Sequence, residues 1–249
     1  MKKDLGPSTR SNPVFKKLRR KKKKAVAPPP TEAMFNTLKT LGLSPTHVID
    51  IGCNKGYWSR AARRAFSDAQ ITAFEPQTEL AEMHQDLVAD PKFTLHYKGV
   101  GDFDGTATFT LHDRDDSSSF SYSEEEAANE GFSQIEMEIC KLDTVITNSN
   151  HPTPEIVKID AEGFDLHVLD GAKNTLSKTD VVLIEAAIAN PRFENTLLAV
   201  AQRMDEMGFR LFDITDLNRT PERGVLWLIE CVFVRNGGML DQESRTGYI

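Results

Sequence analysis

Val48-Ile49-Asp50-Ile51-Gly52-Cys53-Asn54-Lys55-Gly56 is the stretch that decides how this chain reads. A β-branched run closes on an acid and then on a glycine-rich turn. Tyr57 to Phe66 follows with helical spacing. Strand, glycine turn and helix in that order form the first unit of a parallel α/β sheet, where glycines let backbone approach a ligand closely.

The rest of the chain repeats the alternation. Strands are expected at 46–51, 70–75, 93–97, 106–111, 135–140 (as an edge strand), 156–160 and 181–185. Helices are expected at 57–66, 79–89, 165–176 and 194–207, with a polar, acidic loop over 113–131. The runs 209–214 and 226–234 read as an antiparallel pair at a sheet edge. Strands alternating with helices imply an α/β, doubly wound, mostly parallel sheet covered on both faces. The continuous Val/Ile character of 156–159 and 181–184 fits buried parallel strands.

The chain has 249 residues, enough for one sizeable domain and a tail. Its net charge of −7 hides an asymmetry. Residues 1–30 hold 11 Lys or Arg against Asp4 alone, and the remainder holds 19 basic and 36 acidic residues. The expected division is a basic, disordered tail over 1–30, a catalytic domain over 31–240 and a polar C-terminal tail over 241–249. The basic tail reads either as a contact for nucleic acid or an anionic membrane, or as a solvated arm lying against the acidic body. No apolar run approaches the roughly 20 residues of a membrane-spanning helix, and no signal-peptide core is present. The three cysteines, Cys53, Cys140 and Cys231, form no CxxC pair, and no HExxH occurs. Zinc and disulfide frameworks are not indicated, no metal site is assigned, and a reducing cytoplasm is the expected compartment.

Two nucleotide classes compete for the glycine turn. A dinucleotide fingerprint needs GxGxxG, and here Asn54 and Tyr57 stand at its second and third glycines. Asp50 would also repel a pyrophosphate. S-adenosylmethionine has no phosphate and carries a cationic sulfonium and amino group, so Asp50 suits it, directly or through the turn. Glu75, ending the second strand, can accept from both ribose hydroxyls. Gly52, Cys53, Asn54, Gly56, Tyr57 and Pro76 complete the expected cofactor set. Plainer readings remain beside these: Asp50 as a turn former, Glu75 as a solvated strand end, Trp58 and Phe74 as core.

Three blocks then resemble FkbM-type methyltransferases: Asp50 to Ser59, Ala73-Phe74-Glu75-Pro76, and Lys158-Ile159-Asp160-Ala161-Glu162-Gly163-Phe164-Asp165 followed by Val168-Leu169-Asp170-Gly171-Ala172. The resemblance implies a seven-stranded class I, Rossmann-like methyltransferase sheet, S-adenosylmethionine as cofactor, and O-methylation of a hydroxyl on a small metabolite or sugar. Cys53, Ala161 and Asp165 depart mildly from the family pattern. A macromolecular acceptor, or a non-catalytic module docking through the basic tail, is the alternative.

Asp160 and Glu162 are the expected catalytic acids. Glu162, ahead of Asp160, would take the acceptor's proton or orient it. It could instead cap the next helix, or the pair could hold a divalent cation. His167 reads as an ordinary helix residue. Residues 113–120 are long enough for a lid over the acceptor or for a plain polar loop.

Overall fold

Five consecutive parallel strands and an antiparallel pair build the main sheet of the computed structural model, which describes residues 29–113 and 117–246. The elements are α1 (Pro30–Thr40), β1 (His47–Ile51), α2 (Tyr57–Ala65), β2 (Gln70–Phe74), a 3-10 helix (Thr78–His84), α3 (Gln85–Val88), β3 (Phe93–His96), β4 (Gly99–Val100) and β5 (Gly105–Leu111). They continue with α4 (Glu124–Glu130), β6 (Ser133–Cys140), α5 (Leu142–Asn148), β7 (Ile156–Ile159), α6 (Asp165–Asp170), α7 (Lys173–Leu176) and β8 (Val181–Ala187). The last four are α8 (Leu197–Glu206), β9 (Phe209–Arg219), β10 (Leu226–Arg235) and α9 (Met239–Thr246). The main sheet runs β3-β2-β1-β7-β8-β10-β9. From β3 to β8 every pairing is parallel, whereas β10 and β9 pair antiparallel at the edge. This is the expected seven-stranded α/β sheet.

The Val/Ile runs explain the layers. Successive strand residues face opposite sides, so Val48 and Ile49 enter different cores, as do Ile156 and Val157, and Leu183 and Ile184. One face packs on Phe35, Trp58 and Phe66, the other on Val168, Leu176 and Met204. Each fully buried aliphatic side chain contributes roughly 1.5–3 kcal/mol. Strand order reverses between β2, β1 and β7, and the carboxyl ends there open a crevice, the usual ligand position in such sheets.

Several elements differ from the sequence reading. The stretch expected as a helix over 79–89 winds first as a 3-10 helix, and the buried His84 ends that winding. The 135–140 strand is no edge. It is the centre of a second sheet, β4-β6-β5, because β4 and β5 flank it. Within the 113–131 loop α4 forms, started by a capping box between Ser123 and Glu126. The single helix expected over 165–176 breaks at Gly171, where the backbone passes so close to Gly101 that a Cβ would lie 1.8 Å from its carbonyl oxygen.

The polar tail expected from 241 is largely α9, anchored by the buried carboxylate of Asp241. That group accepts from the Gly237 N–H at 2.8 Å and pairs with Arg210 and Arg245. At the other end, Pro30 already belongs to α1. The basic run of residues 1–28 and residues 114–116 of the expected lid lie outside the described residues. Among the described residues no helix is long and apolar enough to cross a membrane.

Candidate functional site

The turn after β1 cannot continue as regular structure because three of its residues take positive φ: Gly52 at 70°, Asn54 at 43° and Gly56 at 76°. Asn is the non-glycine residue that tolerates this best. The turn is fastened from both sides. The Asn54 N–H donates to Glu75 Oε2 at 2.8 Å, and the Asn54 carbonyl meets the ring Nε2 of His84 at 2.5 Å. His84 Nδ1 lies 3.1 Å from the Tyr97 hydroxyl. Gly52 presses on the end of β7, where a Cβ would fall 1.8 Å from the Asp160 carbonyl oxygen.

Beyond this turn lies a cleft of about 630 Å³, its open mouth included. Gly52, Asn54, Glu75, Pro76, Gln77, Asp160 and Glu162 line it. Gly99, Val100, Phe109 and the loop residues Ser118 to Phe120 line it as well. The structure therefore brings Gly52, Asn54, Glu75, Pro76, Asp160 and Glu162 together around one space. Cys53 and Tyr57 line an adjoining depression beside the start of α1, which shares Gly52, Asn54 and Asp160 with the cleft and also includes Lys158 and Glu230. Gly56 packs behind the turn, against Leu87 and Arg60.

Asp50 is wholly buried and does not line the cleft. Its Oδ2 accepts from Ser59 Oγ at 2.6 Å, and its Oδ1 lies 3.5 Å from Lys158 Nζ. Of the two routes expected for it, the direct one is closed by this burial, which leaves the turn. Trp58 and Phe74 pack in the core, Trp58 edge-on against Phe35 and Phe74 stacked on His96, and Phe74 also lines the cleft.

Glu75 is almost fully buried. Oε2 receives the Asn54 N–H, while Oε1 receives the Gln77 N–H at 2.9 Å and the Gln77 side-chain amide at 3.2 Å. A carboxylate offers about four acceptor positions, so at least three are committed to the protein. Burial raises the Glu75 pKa, and the donated hydrogen bonds work against that rise.

Glu162 itself has a positive φ of 50°, followed by Gly163 at 92°. The turn is held by Asp165, whose carboxylate accepts from the N–H groups of Ala161 (3.3 Å) and Gly163 (3.1 Å) and from the Asn195 amide (2.9 Å). Asp165, not Glu162, is thus the acid that organises the start of α6. Burial, reinforced by Asp160, pushes its pKa up to about 7. The Glu162 carbonyl accepts from Ser119 Oγ at 2.7 Å and Ser121 Oγ at 3.2 Å, which ties the 117–123 loop to the cleft rim. Phe120, packed on Phe109 and Phe164, roofs the space. His167 stacks on Phe164 and sits 3.3 Å from Asp102, outside the cleft wall.

Sequence reasoning passed over Lys158. It is buried, 3.0 Å from Asp160 Oδ2 and 3.3 Å from the Gly52 carbonyl. Burial opposes its charge, but Asp160, Asp50 and Glu230 outweigh that and hold the ammonium charged. Its signal was a lysine inside an otherwise apolar strand. Glu185, Glu230 and Phe120 carried no comparable signal.

Comparison with known proteins bears on this arrangement. A family model described as the methyltransferase FkbM domain matches residues 50–211. Among solved structures, methyltransferase FkbM from Methylobacillus flagellatus KT aligns with a TM-score of 0.54 at 17% identity, over 84% of this chain and 48% of that one. The chain thus spans about half the length of that protein. A precorrin-6y C5,15-methyltransferase from Geobacter metallireducens GS-15 aligns with a TM-score of 0.49 at 15% identity, over 86% and 92% of the two chains. At such identities the first likeness shows the fold alone, and the second adds no argument to it. No curated protein matches the sequence.

Proposed function

Because the chain belongs to the FkbM methyltransferase domain family, we propose that it transfers a methyl group from S-adenosylmethionine to a hydroxyl of a small molecule. One observation carries this reading. The glycine turn, Glu75, Asp160 and Glu162 all line a single cleft.

The residues fit the cofactor. The αL turn brings bare backbone at Gly52 to the cleft, and Glu75 Oε2 has one acceptor position left for a ribose hydroxyl. Pro76, Val100, Phe109 and Phe120 offer apolar surface for an adenine. The fixed acids Asp50 and Asp160 make the turn favourable to a cation, and Lys158 balances them without entering the cleft wall. When bound, the cofactor supplies an electrophilic methyl group on a sulfonium. Glu162 holds the acceptor hydroxyl and takes its proton, a role worth about 10²–10⁴-fold in rate. Asp160, paired with Lys158, orients the donor side. The loop tied down by Ser119 and Ser121 excludes water. Three buried free cysteines fit a reducing compartment such as the cytoplasm.

Calorimetry with S-adenosylmethionine and NAD tests the cofactor: NAD binding with no response to S-adenosylmethionine would overturn the proposal. A labelled-methyl screen on cell extract, with products separated by size, tests the acceptor class. Label confined to protein or nucleic acid would replace the small molecule by a macromolecule. S-adenosylmethionine binding with no label transferred to any product would favour a non-catalytic module.

A further inference from the structure

A second, smaller recess opens behind Asp160, at the ends of β7, β8, β9 and β10. Its lining is Ile159, Asp160, Glu185, Asp216, Asn218, Leu228, Ile229 and Glu230. Four of these eight residues are carboxylic acids. The nearest cation is Lys158, already engaged by Asp160 and Asp50.

One acid there is stranded. Glu185, near the end of β8, is partly buried, and its Oε2 is shut off from solvent with no hydrogen-bond partner among the described residues. A buried polar atom left unpaired costs about 1–3 kcal/mol, so folding alone gives no reason to keep it. Burial and the neighbouring Asp160, Glu162 and Asp165 push the Glu185 pKa well up. Glu230 is also raised by burial, though Thr215 donates a hydrogen bond to it. Among the described residues no three His, Cys, Asp or Glu side chains converge tightly enough to hold a metal ion. The recess gathers acids whose ionised forms lack a countercharge, contains an unmet acceptor at Glu185 Oε2, and suits a cation with N–H donors, which would favour those ionised forms, better than a bare metal ion.

We propose that this recess is the acceptor subsite, and that it takes a primary ammonium group carried by a small polar acceptor, with Glu185 as the residue that receives it. The inference rests on the methyltransferase reading, since Asp160 is shared between the recess and the main cleft. The ammonium donates to Glu185 Oε2, and Asp216 and Glu230 supply further negative charge. Leu228 and Ile229 give the apolar floor against which the body of the molecule packs. The reacting hydroxyl of the same molecule then lies toward Asp160 and Glu162.

The test is an amide-NMR and calorimetric titration of the full chain with glucosamine, N-acetylglucosamine and, separately, S-adenosylhomocysteine. The two sugars differ in whether the nitrogen carries charge. Glucosamine should bind at least tenfold more tightly and shift amides of β8 and β10. Glu185→Gln should weaken glucosamine at least tenfold while S-adenosylhomocysteine affinity stays within twofold. Asp216→Asn, at an exposed position, should weaken it about threefold and serves if Glu185→Gln does not fold. Equal affinity for the two sugars, no binding of either, or undiminished glucosamine binding by a folded Glu185→Gln protein would overturn the proposal. Failure of S-adenosylhomocysteine to bind would instead strike the cofactor reading.

Discussion

Asn54 and Glu75 are joined by a 2.8 Å hydrogen bond from the Asn54 N–H to Glu75 Oε2, so the acid ending β2 also fastens the turn ending β1. The residue proposed to read a ribose is at the same time structural. Glu75→Ala should weaken S-adenosylhomocysteine binding at least tenfold, which is 1.4 kcal/mol. It should also lower the unfolding midpoint, because buried N–H groups at Asn54 and Gln77 lose their acceptor. Calorimetry and thermal denaturation read the two effects separately. A folded variant with unchanged affinity would remove Glu75 from the cofactor site.

Lys158 carries a comparable double load. It is the buried cation between Asp50 and Asp160, with Glu230 also within its field. Replacing one partner of a buried ion pair leaves uncompensated charge and costs about 3–5 kcal/mol. Lys158→Met should be destabilised by that order in urea unfolding. Adding Asp50→Asn to it should recover part of the loss, since one stranded charge is then gone. A double variant no more stable than Lys158→Met would contradict the pairing.

How far the sequence could be read follows from which interactions are local. The β1 turn and the turn with two acids after β7 depend on periodicity and turn chemistry within a few residues, and they were legible. Helix breaks were not, because the one at Gly171 is dictated by Gly101, some seventy positions earlier. The central place of β6 depends on its pairing with β4 and β5, which no local pattern encodes. At the site, the sequence leaves Asp50 either a direct or a through-turn role, and its enclosure by Ser59 and by Lys158 of another strand appears only in the packing. Glu185 looked like an ordinary strand end, and only the packing around it strands its carboxyl.

The cysteines give a simple chemical check. All three are buried and free. Burial raises the Cys53 thiol pKa well above its usual value, that of Cys140 to about 11 and that of Cys231 to about 12. Thiolate is the reactive form. At pH 8 the native protein should therefore react with an aromatic disulfide reagent far more slowly than the denatured protein, which should release three equivalents. Rapid native labelling at Cys53 would mean that the turn opens readily.

Asp165 predicts a pH effect with a definite sign. Its folded pKa is raised from 3.8 to about 7, so the folded state holds the proton more tightly than the unfolded chain. Its contribution is complete below about pH 4 and is lost as pH rises through about 7. Asp165→Asn cannot titrate. The stability gap between wild type and Asp165→Asn should therefore narrow from pH 5 to pH 8, by at most about 1.4 kcal/mol per pH unit. Comparing the two proteins cancels the buried His47 and the half-buried His96, whose lowered pKa values act in the opposite direction. A gap that widens over this range would show that the three N–H donors around Asp165 outweigh its burial.

The loop over the cleft is held at one point that mutation can release. Ser119 Oγ and Ser121 Oγ both donate to the Glu162 carbonyl, and Ser119 also exchanges backbone hydrogen bonds with Thr110. Removing both hydroxyls leaves the Thr110 pairing intact and cuts the tie to the turn that carries Glu162. Ser119→Ala/Ser121→Ala should keep its global unfolding midpoint within a few degrees. Amide exchange over residues 117–123 and 161–164 should quicken about tenfold, and turnover should fall while cofactor affinity changes little. Loss of cofactor affinity with unaltered exchange would mean that the hydroxyls act on the bound molecule itself, not on the loop.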